Sequence, residues 1–251
     1  SVNVSLNNIS ANYNDSWGVL VDTNGAVSWV KGEASHNGLS SSYTSGGASI
    51  MNDRAAELAS KQVIIRDVML NNNLRNDGIN ISTRGGVTLA NIQVIDNYYE
   101  GVSLFKYTGA GNILLTNVTA DGNMYGIDIT ASSTVPRYNN VTLINVSASN
   151  NDGFGISVGA NGTITWTGGA VLNNSKTMVQ NNVSLQNYDH VSPAAPFGVK
   201  VSNVTINNPL GYGLYVSSYG AVTLSGVTAR DHLDYNAYLY TCGGSSNTTC
   251  V

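Results

Sequence analysis

Nine times along the chain a Val or Ile opens the same alternating phrase, and only a fold with a repeating cross-section accommodates that. The openings stand at Val4, Val27, Val63, Val87, Ile113, Val141, Ile164, Val199 and Val222. Two residues on come Leu6, Trp29, Ile65, Leu89, Leu115, Leu143, Trp166, Val201 and Leu224, all apolar. Five on, Ile9, Gly32, Val68, Ile92, Val118, Val146, Gly169, Val204 and Val227 follow; seven on, every residue is Ala, Val, Leu or Ile. No charge enters these columns. Bursts of period two, broken every few residues by polar corners, describe strands with one buried face and exclude a 3.6-residue helical stripe. The stretch VTLANIQVIDNYYEGVSL, residues 87–104, shows a whole rung: three bursts, with breaks at Asn91 and around Asn97 and Gly101, and no two-residue hairpin turn between them. The expectation is an all-β, parallel β-helix (β-solenoid) of about nine rungs with three short strands each.

The corners repeat as well. Ten residues after each opening stand Asn14, Asn37, Asn73, Asn97, Asn123, Asn151 and Asn174, with Pro209 and His232 as exceptions. An amide side chain both donates and accepts, so Asn stacked at one bend can satisfy its neighbours' backbone groups rung after rung; the column predicts an asparagine ladder. A second column, four residues after the opening, holds Asn8, Asn91, Asn117, Asn145 and Asn203, with Lys31, Asp67, Gly168 and Gly226 departing from it. Glycines at 18, 78, 101, 126, 155 and 213 announce the third strand, where a corner needs positive φ or a close backbone approach.

A longer period lies above the rung. Val4 maps onto Val141 and Val27 onto Ile164, each 137 residues on, and Trp29 thereby falls on Trp166. Five-rung modules tile one domain, 1–251, as 4–140 and an incomplete 141–251. Rung-type sequence reaches both ends, which predicts that each end accepts a further rung from the next module or another subunit. Two rungs are long. Residues 38–62 carry a Ser/Gly-rich loop and then MNDRAAELASK, in which Asp53 is placed to cap a short helix; the second insertion spans 175–198. Either is a site for binding or packing, or simply a cover for the rung edge.

Composition narrows the function classes. Charged residues are 10% of the chain, the formal net charge is −4, and no Lys/Arg face recurs, which argues against nucleic acid as a partner. No apolar run approaches the ~18 residues of a membrane span. Abundant Asn, Ser, Thr, Gly and Tyr, with two cysteines, suits a secreted protein. Cys242 and Cys250 flank CGGSSNTTC; pairing would staple that loop, and two free thiols are the alternative. Twelve Asn-x-Ser/Thr triplets occur, and Asn3, Asn14, Asn80, Asn117 and Asn247 are the candidate glycosylation sites. The rung itself writes many such triplets, since a corner Asn followed by an inward Val and an outward Thr spells NVT.

Little chemistry is visible. Outward positions of the first strand hold two cations, Arg66 and Lys200, and no carboxylate, so they supply no acid and base pair. His36, His190 and His232 fall in different rungs or insertions without metal spacing, and Asp128 reads as a single solvated group. No metal or cofactor is expected. Aromatics precede the third-strand glycine at Trp17, Tyr125, Phe154 and Tyr212, with Tyr235 equivalent; they read either as a sugar-stacking stripe or as corner stabilisers.

The phrases VTLANIQVIDNYYEGVSL, ILLTNVTADGNMYGIDI and VTLINVSASNNDGFGISV resemble the right-handed parallel β-helix repeat family. GYGLYVSSYGAVTLSGVTA with NAYLYTCGGSSNTTC looks like the tandem modules of very long repeat proteins predicted on the surfaces of filamentous bacteria. That resemblance covers the whole chain and implies fold strongly and function weakly, since the family spans enzymes, adhesins and fibres. The NTD, DD, GHG and RIK motifs of polygalacturonases are absent, as is a cluster of acidic calcium ligands like that of pectate lyases. The first expectation is a non-enzymatic structural repeat segment of an extracellular fibre or cell-surface protein, with itself as partner. A glycan-binding adhesin or spike is the second, and a β-helix lyase, hydrolase or epimerase the third.

Overall fold

The structure, a computed structural model, describes residues 2–39, 45–53, 61–106, 109, 111–131, 138–176, 180–187 and 197–241. It is a parallel β-solenoid. Two nine-stranded parallel sheets run its length, so nine stacked strands make eight complete turns. The first sheet begins at each Val or Ile opening, from Val4–Ser10 through Val87–Ile95 and Ile113–Asp121 to Val222–Ser225. The second is built from the third burst of each rung, from Val19–Asp22 through Glu100–Lys106 and Tyr125–Ala131 to Ala237–Thr241.

The register is the one the columns demand. Val4 pairs with Val27, Val27 with Val63, Val63 with Val87 and Val87 with Ile113, and the series continues to Val222. Inward side chains therefore stack on their own kind, and one continuous apolar core runs from Val19 to Val216. The residues of the terminal rungs, Val4, Leu6, Val222 and Leu224 among them, are only partly buried against it. Trp29 and Trp166 are fully buried, and their two rungs are the ones with Gly, at Gly32 and Gly169, in the column three residues on.

The expected three strands per rung need correction. In the first five rungs the first two bursts form a single bent strand, as in Val87–Ile95. Among the described residues a separate third sheet exists only where Ala170–Leu172, Thr205–Asn207 and Thr228–Arg230 pair. The bend explains the second Asn column. Asn8, Lys31, Asp67, Asn91, Asn117, Asn145 and Asn203 all have φ between 52° and 61°, and Gly168 and Gly226 have φ of 71° and 63°. This is the left-handed region, which Asn tolerates better than other side chains because its short amide bonds locally.

The third-strand glycines answer to a different constraint. None of Gly18, Gly78, Gly101, Gly126, Gly155 and Gly213 has a positive φ. A Cβ on Gly101 would lie 2.7 Å from the Gly126 carbonyl oxygen and 2.8 Å from Nδ2 of Asn123; one on Gly126 would lie 2.2 Å from the Gly155 oxygen. Here glycine admits a close approach between rungs, next to the ladder amide.

The described residues contain no helix. The short helix expected in 38–62 rests on residues 54–60, outside the described residues, as do Cys242, Cys250 and Asn247. Asp53 accepts a hydrogen bond from Ser82 Oγ at 2.5 Å.

Candidate functional site

The asparagine ladder is present and has a direction. Each member gives its backbone N–H and its Nδ2 to Oδ1 of the next rung's Asn, from Asn14 to Asn37, Asn73, Asn97, Asn123, Asn151 and Asn174. The same Nδ2 reaches back to a carbonyl of the preceding rung: Asn97 to Leu70, Asn123 to Val94 and Asn151 to Ala120, at 2.9 to 3.1 Å. Asn174 reaches back in the same way, to the Ala148 carbonyl at 2.9 Å, and forward gives its Nδ2 to Asn182 Oδ1 at 2.8 Å. In the next rung Pro209 occupies the ladder position, and the buried Asn208 beside it sets its Nδ2 close to Gly211 of its own rung, whereas the ladder amides face the third-strand glycine of the preceding rung. These residues hold the corner together and offer nothing to a ligand.

The outer face of the second sheet is different. Its first outward column is the residue before the third-strand glycine, and it reads Asp77, Glu100, Tyr125, Phe154, Asn181, Tyr212 and Tyr235 in successive rungs. The next outward column holds Asn80, Ser103, Asp128, Ser157, Ser184, Tyr215 and Tyr238. Asp128 is thus not isolated, because Asp77 and Glu100 belong to the same electrostatic cluster. Burial lifts the Asp77 carboxyl to about 6, against a smaller pull from its hydrogen bonds with Asn80 Nδ2 at 3.0 Å and the Glu100 N–H at 3.2 Å. Burial lifts Glu100 to about 7, with the charges of Asp77 and Asp128 adding to it and a Ser103 hydrogen bond opposing. Asp128 is raised by burial too, and the Ser157 hydroxyl works against the shift.

Beyond the carboxylates the face is aromatic. Tyr125 stacks on Phe154 with centroids 4.8 Å apart, and Tyr99 meets Tyr125 edge to face at 5.4 Å. Two rungs further, Tyr212 stacks on Tyr235 at 5.1 Å and Tyr215 on Tyr238 at 5.7 Å. Between Phe154 and Tyr212 lies an open slot of about 370 Å³, lined also by Ser157, Gln180, Asn181 and Ser184. Trp17 stands apart from this stripe, its ring lying against Gly46.

The other residues singled out from sequence are scattered. Asn14 and Asn117 are exposed, but Nδ2 of Asn14 donates to Asn37 and Nδ2 of Asn117 to Asn91 Oδ1 at 2.9 Å. Asn80 spends its amide on Asp77, and Asn3 Oδ1 accepts from the Ala26 N–H at 2.9 Å. His36 stacks on Tyr13 at 4.8 Å, and His232 takes the ladder position of the last rung, where burial pushes its imidazole below the usual value. Among the described residues no three His, Cys, Asp or Glu side chains are arranged to hold a metal ion.

Asp77 and Glu100 escaped the sequence reading although a signal for them exists. Both precede a third-strand glycine, as Tyr125, Phe154 and Tyr212 do, so the column that yields the aromatics also yields the two acids.

Comparison with protein-family models, with curated proteins and with solved structures finds no match to this chain. What defines the class of protein is its own architecture: a parallel β-solenoid with an internal polar ladder and one outward face carrying acids and stacked aromatics.

Proposed function

We propose that this chain is a structural repeat segment of an extracellular fibre or cell-surface protein, in which the solenoid lengthens by addition of five-rung modules. The observation that carries the reading is the joint at which the second module starts. Val141 pairs with Ile113 and Leu143 with Leu115 across it, and the ladder crosses from Asn123 to Asn151 by bonds of 2.8 and 3.2 Å. Among the described residues the strands and the ladder pass from one module to the next as they pass between rungs of one module, so one module serves as the template for the next. Low charge and the abundance of Asn, Ser and Thr support an extracellular setting.

The reading is non-enzymatic. It rests on the absence of β-helix polysaccharidase motifs from the sequence and of any three metal-holding side chains among the described residues. The test is to produce chains of one, two and three further modules and measure their lengths by electron microscopy. Each module of five rungs should add roughly 24 Å at the strand spacing of ~4.8 Å. Particles that fold back or grow sideways instead would overturn the proposal.

A further inference from the structure

The aromatic column on the second sheet is interrupted once, and a slot of about 370 Å³ opens at the interruption. Tyr125 and Phe154 stack in consecutive rungs, Asn181 follows, and Tyr212 and Tyr235 stack in the next two. Phe154 and Tyr212 are therefore two rungs apart, roughly 10 Å at the strand spacing. Two van der Waals stacking distances of ~3.5–4.0 Å occupy most of that gap, which leaves room for one flat ring between two aromatic faces. The floor beneath it is polar. Ser184 Oγ accepts from Gln186 Nε2 at 3.0 Å and keeps its own hydrogen to donate. The Tyr235 hydroxyl donates to Asn181 Oδ1, which anchors that amide, while Nδ2 of Asn181 donates to no group among the described residues.

We propose that this slot binds one ring of a neutral saccharide chain lying along the solenoid face. The two aromatic walls present the negative faces of their π systems, which attract the C–H faces of a pyranose. The hydroxyls around the ring edge meet Ser157, Ser184 and Asn181, the few polar groups that fix orientation in an otherwise preformed site. Charge selects against the other flat ligands. Among the described residues no Lys or Arg lines the slot, and Ser157 is tied to the Asp128 carboxyl, so a uronate or a nucleotide phosphate finds no cation there and meets negative charge. This inference stands on the slot alone and is independent of the fibre reading.

The experiment is calorimetric titration of the whole chain with cellohexaose, laminarihexaose and mannohexaose, and with hexagalacturonic acid as the charged control. At least one neutral hexasaccharide should bind. Asn181→Phe completes the aromatic column in register, and should weaken that binding by about tenfold or more, equivalent to ~1.4 kcal/mol, while the melting temperature holds. Tyr212→Ala, which removes a wall instead of filling the slot, should weaken it as well and covers the case in which the Phe variant folds poorly. The proposal fails if no neutral hexasaccharide binds at millimolar concentration, or if both variants bind like the parent. It fails also if hexagalacturonic acid binds more tightly than the neutral sugars. Self-association that Asn181→Phe abolishes would assign the slot to a side chain of a second copy and overturn it too.

Discussion

Asn97 gives both its backbone N–H and its Nδ2 to one atom, Oδ1 of Asn123, each at 2.9 Å. Because Asn123 repeats the pattern toward Asn151, removing one amide breaks bonds in three rungs at once. Asn123→Ala should lower stability by about 2–4 kcal/mol, since buried donors on Asn97 lose their acceptor and the Val94 carbonyl loses a donor. Asn14→Ala, at an exposed member of the ladder, should cost less than ~1 kcal/mol. Urea denaturation midpoints of the two variants check the contrast; equal costs would mean that the ladder is not cooperative.

The bend column should respond to backbone conformation before side-chain chemistry. Asn117, with φ of 52°, is exposed and bonded to Asn91. Asn117→Gly should be close to neutral, whereas Asn117→Val should cost about 1–2 kcal/mol or more, the penalty for a left-handed residue without a compensating local bond. Thermal unfolding of both variants decides between this and a role for the amide alone.

The acid cluster should make the fold pH-sensitive in a direction opposite to that of most carboxylates. Asp77 and Glu100 titrate at about 6 and about 7 in the folded chain, above their ordinary values of 3.8 and 4.5. The folded state thus holds protons that the unfolded chain has already released. Their contribution is fully present below about pH 4 and is lost as pH rises through 6 to 7, by on the order of a few kcal/mol in total. Unfolding free energy measured from pH 4 to 8 should fall over that window. Glu100→Gln should flatten the fall; an unchanged slope in that variant would show that another group titrates.

Among the described residues Lys106 is the one cation with a fully buried side chain, and it ties down neighbouring backbone. Its side chain points inward, and Nζ donates to the carbonyls of Arg84 at 2.9 Å and Gly109 at 3.0 Å. Lys106→Met keeps the bulk and should still cost about 1–3 kcal/mol, because those carbonyls lose their donor. Hydrogen exchange should then increase locally around residues 84–86 and leave Ile113–Asp121 protected.

What the sequence determined on its own is the cross-section. Period-two burial forces Val87, Leu89, Ile92 and Val94 inward, and a parallel stack sets each against the same position of the next rung, so the core, the register and the ladder can be read from columns of residues. The columns cannot tell why a polar corner is polar. Asn91 and Asn97 look alike in sequence, yet the first holds a left-handed bend and the second a buried ladder bond. Gly101 invites a positive φ and is there for the close approach of Gly126 and Asn123 instead. Only the tertiary structure brings Asp77, Glu100 and Asp128 together and leaves a slot at Asn181. These residues are separated by whole rungs of unequal length, and their adjacency is set by the register of the stacked sheet. Their titration is set by how deeply the stack buries them, a property of the assembled face that no single rung carries.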